Sequence, residues 1–367
     1  MDFFKDGTKG RSLGYIPALD GLRALAVLAV FAEHFTYNDL IRGFNPGMVG
    51  VRTFFVLSGF LITTILLNER GTAPVATLAA RFWYRRVLRL MPVFLIAIAL
   101  TWALNLGEMR QSIYWHLSYL SNVQVFVEHR WTGAGHFWTL AIEEQFYLLW
   151  FPLVMLLPVR WILPAIVAAI LGSLAYRGVV TVGIDNFANV LLPGQLDSLA
   201  IGALLAIVVR TPRLAFLDRM VNGPALVAAG ALAVVLLSPT VHEMANLNWP
   251  YIGWVGLPFL VGLGAAALVR MACTPGALAR HLSHPALIHM GQISYGLYVW
   301  HYFVPQFTYT YIPNFHVLDE GALALVRTVI WVGLTFLLAE LTWWLVERPL
   351  RAFRNLPRGP ILTPAPA

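Results

Sequence analysis

The sequence has almost no cysteine and little charge. Cys273 is the single cysteine among 367 residues, which excludes an intramolecular disulfide and a cysteine-rich metal site. Charged residues make up 12% of the chain and apolar residues 59%, with a mean hydropathy of +0.70. Soluble domains contain about 25% charged and about 45–50% apolar residues. The composition therefore indicates an all-α, polytopic integral membrane protein whose basic residues mark the sides of a membrane and not a nucleic-acid site.

Long apolar runs supply the transmembrane helices. A helix needs about 20 mostly apolar residues to cross the hydrocarbon. About ten stretches qualify, at 17–38, 49–67, 91–106, 137–157, 161–177, 193–209, 222–238, 251–270, 287–305 and 321–346. Most Lys and Arg residues then fall on one side, which predicts an N-in, C-in orientation by the positive-inside rule. We expect a transmembrane domain over 1–350 and a short, disordered cytosolic tail over 351–367.

The first predicted helix carries ionisable residues in its apolar run "LAVFAEHF". Charges inside a span cost roughly 2.5–3.5 kcal/mol each on insertion scales, so each needs a partner, a wet cavity or a function. Arg23 and His34 are eleven residues apart, which returns them to within about 20° of one helix face. Asp20 joins that face, whereas Glu33 points aside and is expected to pair locally. Taken alone, His34 is also compatible with a packing histidine.

The fourth predicted helix contains two adjacent carboxylates in "GHFWTLAIEEQFYLLW". Thr139, Glu143 and Tyr147 share one face by their four-residue spacing. Glu143 is therefore the better candidate for the interior, and Glu144 is expected to turn toward another helix. A purely structural bond from Glu143 to a neighbouring helix is the alternative.

Two further helices carry polar residues for which packing and function weigh equally. The ninth places Ser294, Tyr298 and His301 on one stripe, within "SYGLYVWHYF". The sixth carries Asp197 and Ser198 in "QLDSLAIG". Interhelical hydrogen bonds and a binding site are both consistent with these patterns.

Arginines cluster among aromatic residues in the second inside loop, "RFWYRRVLRLMP". The positive-inside rule or binding of anionic lipid headgroups accounts for such a cluster without any catalytic role. Alternatively, Arg86 and Arg89 lie three residues apart on a helix, where two guanidiniums can bind a phosphate or pyrophosphate group.

Seven motifs in order make the chain resemble the membrane acyltransferases of the acyltransferase-3 type over nearly its whole length. They are "YIPALDGLRALAVLAVFAEHF", "FFVLSGFLITTILL", "RRVLRLMP", "HFWTLAIEEQFYLLW", "LDSLAIG", "SYGLYVWH" and "ERPLR". The resemblance implies transfer of an acyl group, usually acetyl, from cytosolic acyl-CoA to a hydroxyl of a carbohydrate. It also implies a bacterial inner-membrane location and polysaccharide biosynthesis.

The same resemblance assigns roles to individual residues. It places the family's first-helix pair on Arg23 and His34, its Arg-x-x-Arg on Arg86 and Arg89, and its fourth-helix carboxylate on Glu143. We predict His34 and Glu143 as catalytic. Because an imidazole changes charge near neutral pH, His34 suits a general base, with transient acylation of His34 as the competing version. Glu143 would orient the imidazole. The predicted substrate-binding residues are Arg23, Arg86, Arg89, Asp20, Thr139, Tyr298 and His301.

The chain departs from the family pattern at two positions. Arg52 stands where an aspartate is common, and Thr139 stands where serine is usual, which keeps the hydroxyl. Larger members carry a soluble esterase-like domain after the last span. None follows "ERPLR" here, so we expect the membrane domain, its outer loops or a partner to handle the acceptor.

The expected co-substrate is acyl-CoA, most simply acetyl-CoA, with no metal. Expected partners are a carbohydrate or lipid-linked oligosaccharide acceptor, such as exopolysaccharide or lipopolysaccharide O-antigen, and membrane lipids, with no nucleic acid. A proton-coupled secondary transporter of a small polar or glycan-related solute is the alternative, since it also uses intramembrane His, Glu and Arg. Such transporters commonly show inverted repeats, which the sequence lacks. A non-catalytic assembly subunit for polysaccharide export is a third reading.

Overall fold

The computed structural model describes residues 14–36, 38–237 and 250–354, and these residues form helices and no strands. The α-helices are α1 Pro17–Phe35, α2 Asp39–Arg42, α3 Pro46–Glu69, α4 Val75–Ala103, α5 Met109–Leu117, α6 Ser121–Glu128, α7 Trp138–Leu156, α8 Val159–Tyr176, α9 Leu192–Val208, α10 Ala215–Val221, α11 Pro224–Leu237, α12 Leu257–Ala272, α13 Ala277–Leu282, α14 Pro285–Gln292, α15 Ser294–Trp300, α16 Phe303–Tyr311, α17 Leu323–Thr342 and α18 Arg348–Arg351. Short π-helical segments span Arg177–Thr181, Ile252–Gly256 and Trp343–Glu347. Short 3₁₀ helices span Leu106–Glu108, Gly135–Phe137, Asn186–Val190, Pro212–Leu214, Phe315–Asp319 and Ala352–Arg354.

Seven of the described helical segments are long and apolar enough to cross a membrane. They are Asp39–Glu69, Val75–Ala103, Gly135–Leu156, Val159–Thr181, Asn186–Val208, Ile252–Ala272 and Leu323–Arg351. The pair Pro212–Val221 and Pro224–Leu236, bent by 47°, makes eight if it counts as one span. The all-α, multi-pass character is confirmed, whereas the predicted number of ten spans is not.

The two predicted spans missing from this set fail for different reasons. Helix α1 is long enough, at 19 residues, but carries three charged side chains, Asp20, Arg23 and Glu33. The predicted span 287–305 is not one continuous helix, because the chain breaks there into α14, α15 and α16. Ile293, between the first two, has φ −91° and ψ 1°. Pro305 has no backbone N–H and fits only the first turn of a helix, which agrees with a fresh start at Phe303.

The arginine cluster lies on a helix and not in a loop. Helix α4 begins at Val75, well before the predicted start of the span at residue 91. No glycine or proline interrupts the chain between Val75 and Pro92, so nothing stops the helix before the arginines. Of the predicted disordered tail, Arg351 to Arg354 are helical, and residues 355–367 lie outside the described part of the chain.

Helices α3 and α9 pack at very short range through two glycines. A Cβ added to Gly59 would lie 1.9 Å from the carbonyl oxygen of Leu199, and one added to Gly202 would lie 2.1 Å from that of Val56. Small residues allow such backbone contact between helices within a membrane. This pair forms the centre of the largest apolar cluster, against which α1, α4, α7, α8 and α12 pack.

A buried ion cluster fixes the same helices. Both guanidinium Nη atoms of Arg177 donate to the Asp197 carboxylate at 2.8 Å, while Arg52 Nη1 donates to Ser198 Oγ at 2.7 Å and lies 3.3 Å from Asp197 Oδ2. Asp197, Ser198 and Arg177 have no exposed surface. Interhelical hydrogen bonds and ion pairs thus explain why the polar residues Asp197 and Ser198 are buried. The Asp197 carboxylate on α9 likewise explains the buried Arg52.

Candidate active site

One cavity of about 380 Å³ lies among α1, α3, α4, α7 and α15. Its volume falls in the range of small-molecule sites, about 300–1,000 Å³. Six of the predicted site residues line it: Arg23, Arg86, Arg89, Thr139, Glu143 and Tyr298. These six residues come from four helices, α1, α4, α7 and α15, which meet at one place, as the functional interpretation of the polar residues requires.

Arginines form one side of this cavity, and carboxylates face them. Arg86 Nε lies 3.6 Å from Glu144 Oε1, and its guanidinium stacks over the ring of Tyr147, 3.4 Å from the ring centre. Arg85 also lines the cavity and pairs with Glu69 at 2.6 Å. Several guanidiniums on this side are available to bind an anion. The carboxylates of Glu69 and Glu144 balance part of the positive charge of these arginines.

Glu143 bonds within its own helix. The hydroxyl of Tyr147 donates to Glu143 Oε2 at 2.8 Å, and Tyr147 also shares a short hydrogen bond with Ser58 on α3. Among the described residues no hydrogen bond joins Glu143 to His34, which does not line the cavity. The structure therefore does not place Glu143 as the group that orients His34.

Tyr298 and Thr139 form the polar wall that closes the cavity on the side of His34. The hydroxyl of Tyr298 donates to the carbonyl oxygen of His136 at 2.8 Å and lies 2.6 Å from Thr139 Oγ1. The ring of Phe54 packs edge-on against Tyr298, with centroids 6.4 Å apart. These contacts place an aromatic layer between the cavity and the histidines beyond it.

His34 lies beyond this wall and keeps an exposed side chain. Its ring contacts those of His301 and Tyr302, each with centroids 5.2 Å apart. Glu33 turns away, as predicted, and accepts a hydrogen bond from the backbone N–H of Gly47 at 3.3 Å. The helix geometry read from the sequence therefore separates this adjacent pair correctly.

Asp20 supports Arg23 and does not line the cavity. Its carboxylate accepts a hydrogen bond from the hydroxyl of Tyr15 at 2.7 Å and lies 3.9 Å from Arg23 Nη1. His301 also lies outside the cavity, packed between His34 and Tyr298. Of the nine predicted site residues, Asp20, His34 and His301 are thus the three that the cavity does not include.

Known proteins are similar to this chain over nearly its whole length. The acyltransferase-3 family, described as an acyltransferase domain, matches residues 16–346. The chain belongs to this family. O-acetyltransferase OatA of Staphylococcus aureus strain NCTC 8325 is 31% identical over 388 aligned positions, covering 97% of this chain and 61% of OatA. OatA of strain COL is similar to the same extent.

The chain spans about three-fifths of the length of these curated relatives. No solved structure matches it. Within the described ranges, no group of three or more His, Cys, Asp or Glu side chains is arranged to hold a metal ion. The polar groups in and around the cavity are arginines, carboxylates, hydroxyls and histidines.

Several residues of the site were not predicted as such. Ser58 and Glu144 line the cavity, and Tyr147 bonds Glu143, while His136 and Tyr302 pack around His301. Ser58 and His136 fall inside motifs that carry the family resemblance, "FFVLSGF" and "HFWTLAIEE". Those motifs were the signal available in the sequence. Neither Ser58 nor His136 belongs to a pattern of polar residues on one helix face that would have marked it as a site residue.

Proposed function

We propose that this protein transfers an acyl group, most simply acetyl, from acyl-CoA to a hydroxyl of a carbohydrate acceptor. The observation that carries this proposal is the cavity that joins Arg23, Arg86 and Arg89 to Glu143, with His34 beyond its far wall. The similarity to OatA, an O-acetyltransferase, favours acetyl as the group and oxygen as its destination.

The arginine side of the cavity suits a polyanionic donor. Coenzyme A carries phosphates at one end and the reactive thioester at the other, joined by a narrow arm. Guanidiniums bind phosphate oxygens through charge-assisted hydrogen bonds. Apolar residues, including Phe54, Phe55 and Leu140, line the rest of the cavity, so it suits the arm and a short acyl group. The donor would enter with its thioester directed toward Tyr298 and Thr139.

His34 is the residue that we propose acts on the acceptor. Its exposed ring lies on the side of Tyr298 away from the cavity, so donor and acceptor would arrive from opposite sides. In the reactive state the Tyr298 side chain would turn aside, which lets the thioester reach the acceptor oxygen beside His34. In this step the imidazole takes the proton as the acceptor O–H bond breaks, and the oxygen forms a bond to the acyl carbon. The carbon–sulfur bond breaks, and the leaving thiolate takes the proton from the imidazolium, which gives an ester and the free thiol.

The location and acceptor belong to the same proposal. With the arginine side facing the cytosol, the N-in, C-in orientation gives the cavity access to cytosolic acyl-CoA. His34 then faces the outer side of a bacterial inner membrane, where exopolysaccharide or O-antigen units are available as acceptors. Asp20 holds Arg23 from behind, and Thr139 and Tyr298 supply hydroxyls at the reacting end.

Comparison of surface glycans from a deletion strain and a complemented strain tests this function. NMR spectra should lose an O-acyl signal on deletion and regain it with the wild-type gene but not with a His34→Ala variant present at equal abundance in the membrane. Identical spectra from deletion and complemented strains would contradict the proposal. Donor-independent flux of a solute into proteoliposomes that contain the purified protein would instead support a transporter.

A further inference from the structure

His301 occupies the centre of the layer that separates the cavity from His34. It is fully buried at the C-terminal end of α15. The rings of His34, His136 and Tyr298 surround it, each with its centroid 5.2 Å from that of His301. It is therefore the one described residue whose ring contacts both His34 and Tyr298 of the cavity wall.

A backbone contact fixes which nitrogen of His301 carries the proton. Nδ1 lies 2.6 Å from the carbonyl oxygen of Tyr298. A carbonyl oxygen can only accept, so Nδ1 donates and the neutral ring keeps its lone pair on Nε2. Nε2 is buried and has no hydrogen-bond partner among the described residues. Leaving a buried acceptor unsatisfied is unfavourable, which favours a partner in another state of the site.

The groups around His301 leave few donors for that nitrogen. His136 faces it from the 3₁₀ helix Gly135–Phe137, but its Nε2 donates to the carbonyl oxygen of Val299 at 3.2 Å, which leaves Nδ1 as an acceptor. Tyr298 already donates its hydroxyl to the carbonyl oxygen of His136. His34 and Tyr302 remain. Phe31 and Phe35 of α1 also pack against His301, so His34 is the α1 side chain there that can donate a hydrogen bond, and Arg42 is the charged group whose field acts on the His34 ring.

We propose that His301 is the positioning residue for His34. In the reactive state its Nε2 accepts a hydrogen bond from the His34 imidazole N–H. This bond holds the other nitrogen of His34 toward the acceptor hydroxyl and stabilises the imidazolium formed when that nitrogen takes the proton. The inference rests on the proposed acyl transfer and gives His301 the role that the sequence assigned to Glu143.

Two substitutions separate this role from simple packing. In His301→Asn the side-chain amide reproduces the Nδ1 donor to Tyr298 but offers nothing at the position of Nε2. In His301→Gln the amide oxygen reaches that position. We expect the asparagine variant to lose about tenfold or more in kcat, because the orienting partner of a catalytic histidine is lost, and the glutamine variant to recover part of it. Affinity for CoA should stay unchanged in both variants, because His301 does not line the cavity.

A second readout does not depend on turnover. Diethyl pyrocarbonate modifies the neutral imidazole of an exposed histidine, and mass spectrometry follows the rate at His34 as a function of pH. Loss of the acceptor in His301→Asn should move the midpoint of this profile to lower pH by roughly half a unit or more, because the imidazolium is then less stabilised. His116→Asn is the matched control and should leave the His34 profile unchanged. His116 is also fully buried, but its two ring nitrogens bond the hydroxyls of Ser112 and Ser121.

The outcomes distinguish the inference from the function on which it rests. Full kcat and an unchanged His34 profile in His301→Asn, beside an active wild type, would overturn the pairing and leave acyl transfer standing. Equal rates for the asparagine and glutamine variants, with no shift at His34, would also overturn it and show a packing role. A shifted His34 profile in His301→Asn, beside a wild type that transfers no acyl group, would support the pairing and refute the proposed function.

Discussion

Arg86 and Glu144 form an ion pair inside the cavity proposed for the donor, with Arg86 Nε 3.6 Å from Glu144 Oε1. The side chains are 15% and 16% exposed, so water screens the pair only in part. A phosphate group that binds Arg86 must compete with this carboxylate. If the donor binds here as proposed, Glu144 therefore opposes its binding, while in the structure it compensates the charge of the Arg86 guanidinium.

Replacing Glu144 by glutamine should therefore strengthen donor binding. Without the competing carboxylate, we expect the Kd for CoA to fall by about threefold to tenfold, which corresponds to roughly 0.7–1.4 kcal/mol. Calorimetric titration of the detergent-solubilised protein measures it. Glu340→Gln is the control, because Glu340 pairs with His289 away from the cavity. Weaker binding in Glu144→Gln would mean that Glu144 serves the donor in another way.

Removing Arg86 and Arg89 should have the opposite effect on the affinity for CoA. Arg86→Ala with Arg89→Ala should raise the Kd for CoA by at least about tenfold, since each charge-assisted hydrogen bond contributes about 1.5–3 kcal/mol. The same titration with Arg213→Ala and Arg219→Ala provides the control, because these arginines are exposed and do not line the cavity. Equal affinity in wild type and the Arg86/Arg89 variant would show that the cluster only sets topology.

The buried ion cluster predicts a large loss of stability on one substitution. Asp197→Asn leaves the guanidiniums of Arg52 and Arg177 without their carboxylate, which costs about 3–5 kcal/mol for a buried pair. Thermal unfolding in detergent should show a clearly lower Tm. Asp218→Asn, which breaks a partly exposed pair with Arg270, should cost about 1 kcal/mol or less. Similar Tm values for the two variants would contradict a stabilising role of the cluster.

His116 gives stability a pH dependence. Burial in the segment between α4 and α7 lowers its pKa to about 4, against about 6.5 in an unfolded chain. Above pH 6.5 both states are neutral. As pH falls from 6.5 toward 4 only the unfolded state takes up the proton, so the folded state loses up to about 2 kcal/mol by pH 5. The Tm of wild type should fall from pH 7 to pH 5 more steeply than that of His116→Gln; parallel curves would refute this.

Helical spacing was sufficient to predict much of the candidate site. Residue spacing groups Glu143 with Thr139 and Tyr147, and Tyr298 with Ser294, and the structure places all five around one cavity together with Arg23. The divergence of Glu33 from His34 follows from the same 100° rotation per residue. Such predictions succeed because they depend only on the geometry of one helix.

The packing of one helix against another could not be predicted from the sequence. The layer formed by Tyr298 and His301 between the cavity and His34 depends on how α15 rotates against α1, which spacing within one helix does not determine. The partner of Arg52 depends likewise on the close packing of α3 and α9. The break at Ile293 was missed because a hydropathy window averages over one interrupted turn.

The rate of acetyl transfer by His34→Asn tests the central claim most directly. Purified wild type and variant receive saturating labelled acetyl-CoA, with surface glycan from the deletion strain as acceptor, and alkali-labile label in the glycan is measured. We predict a fall of at least about 100-fold, the usual contribution of general acid–base catalysis, with the Kd for CoA within twofold of wild type because His34 lies outside the cavity. Transfer by the variant at the wild-type rate would contradict the account.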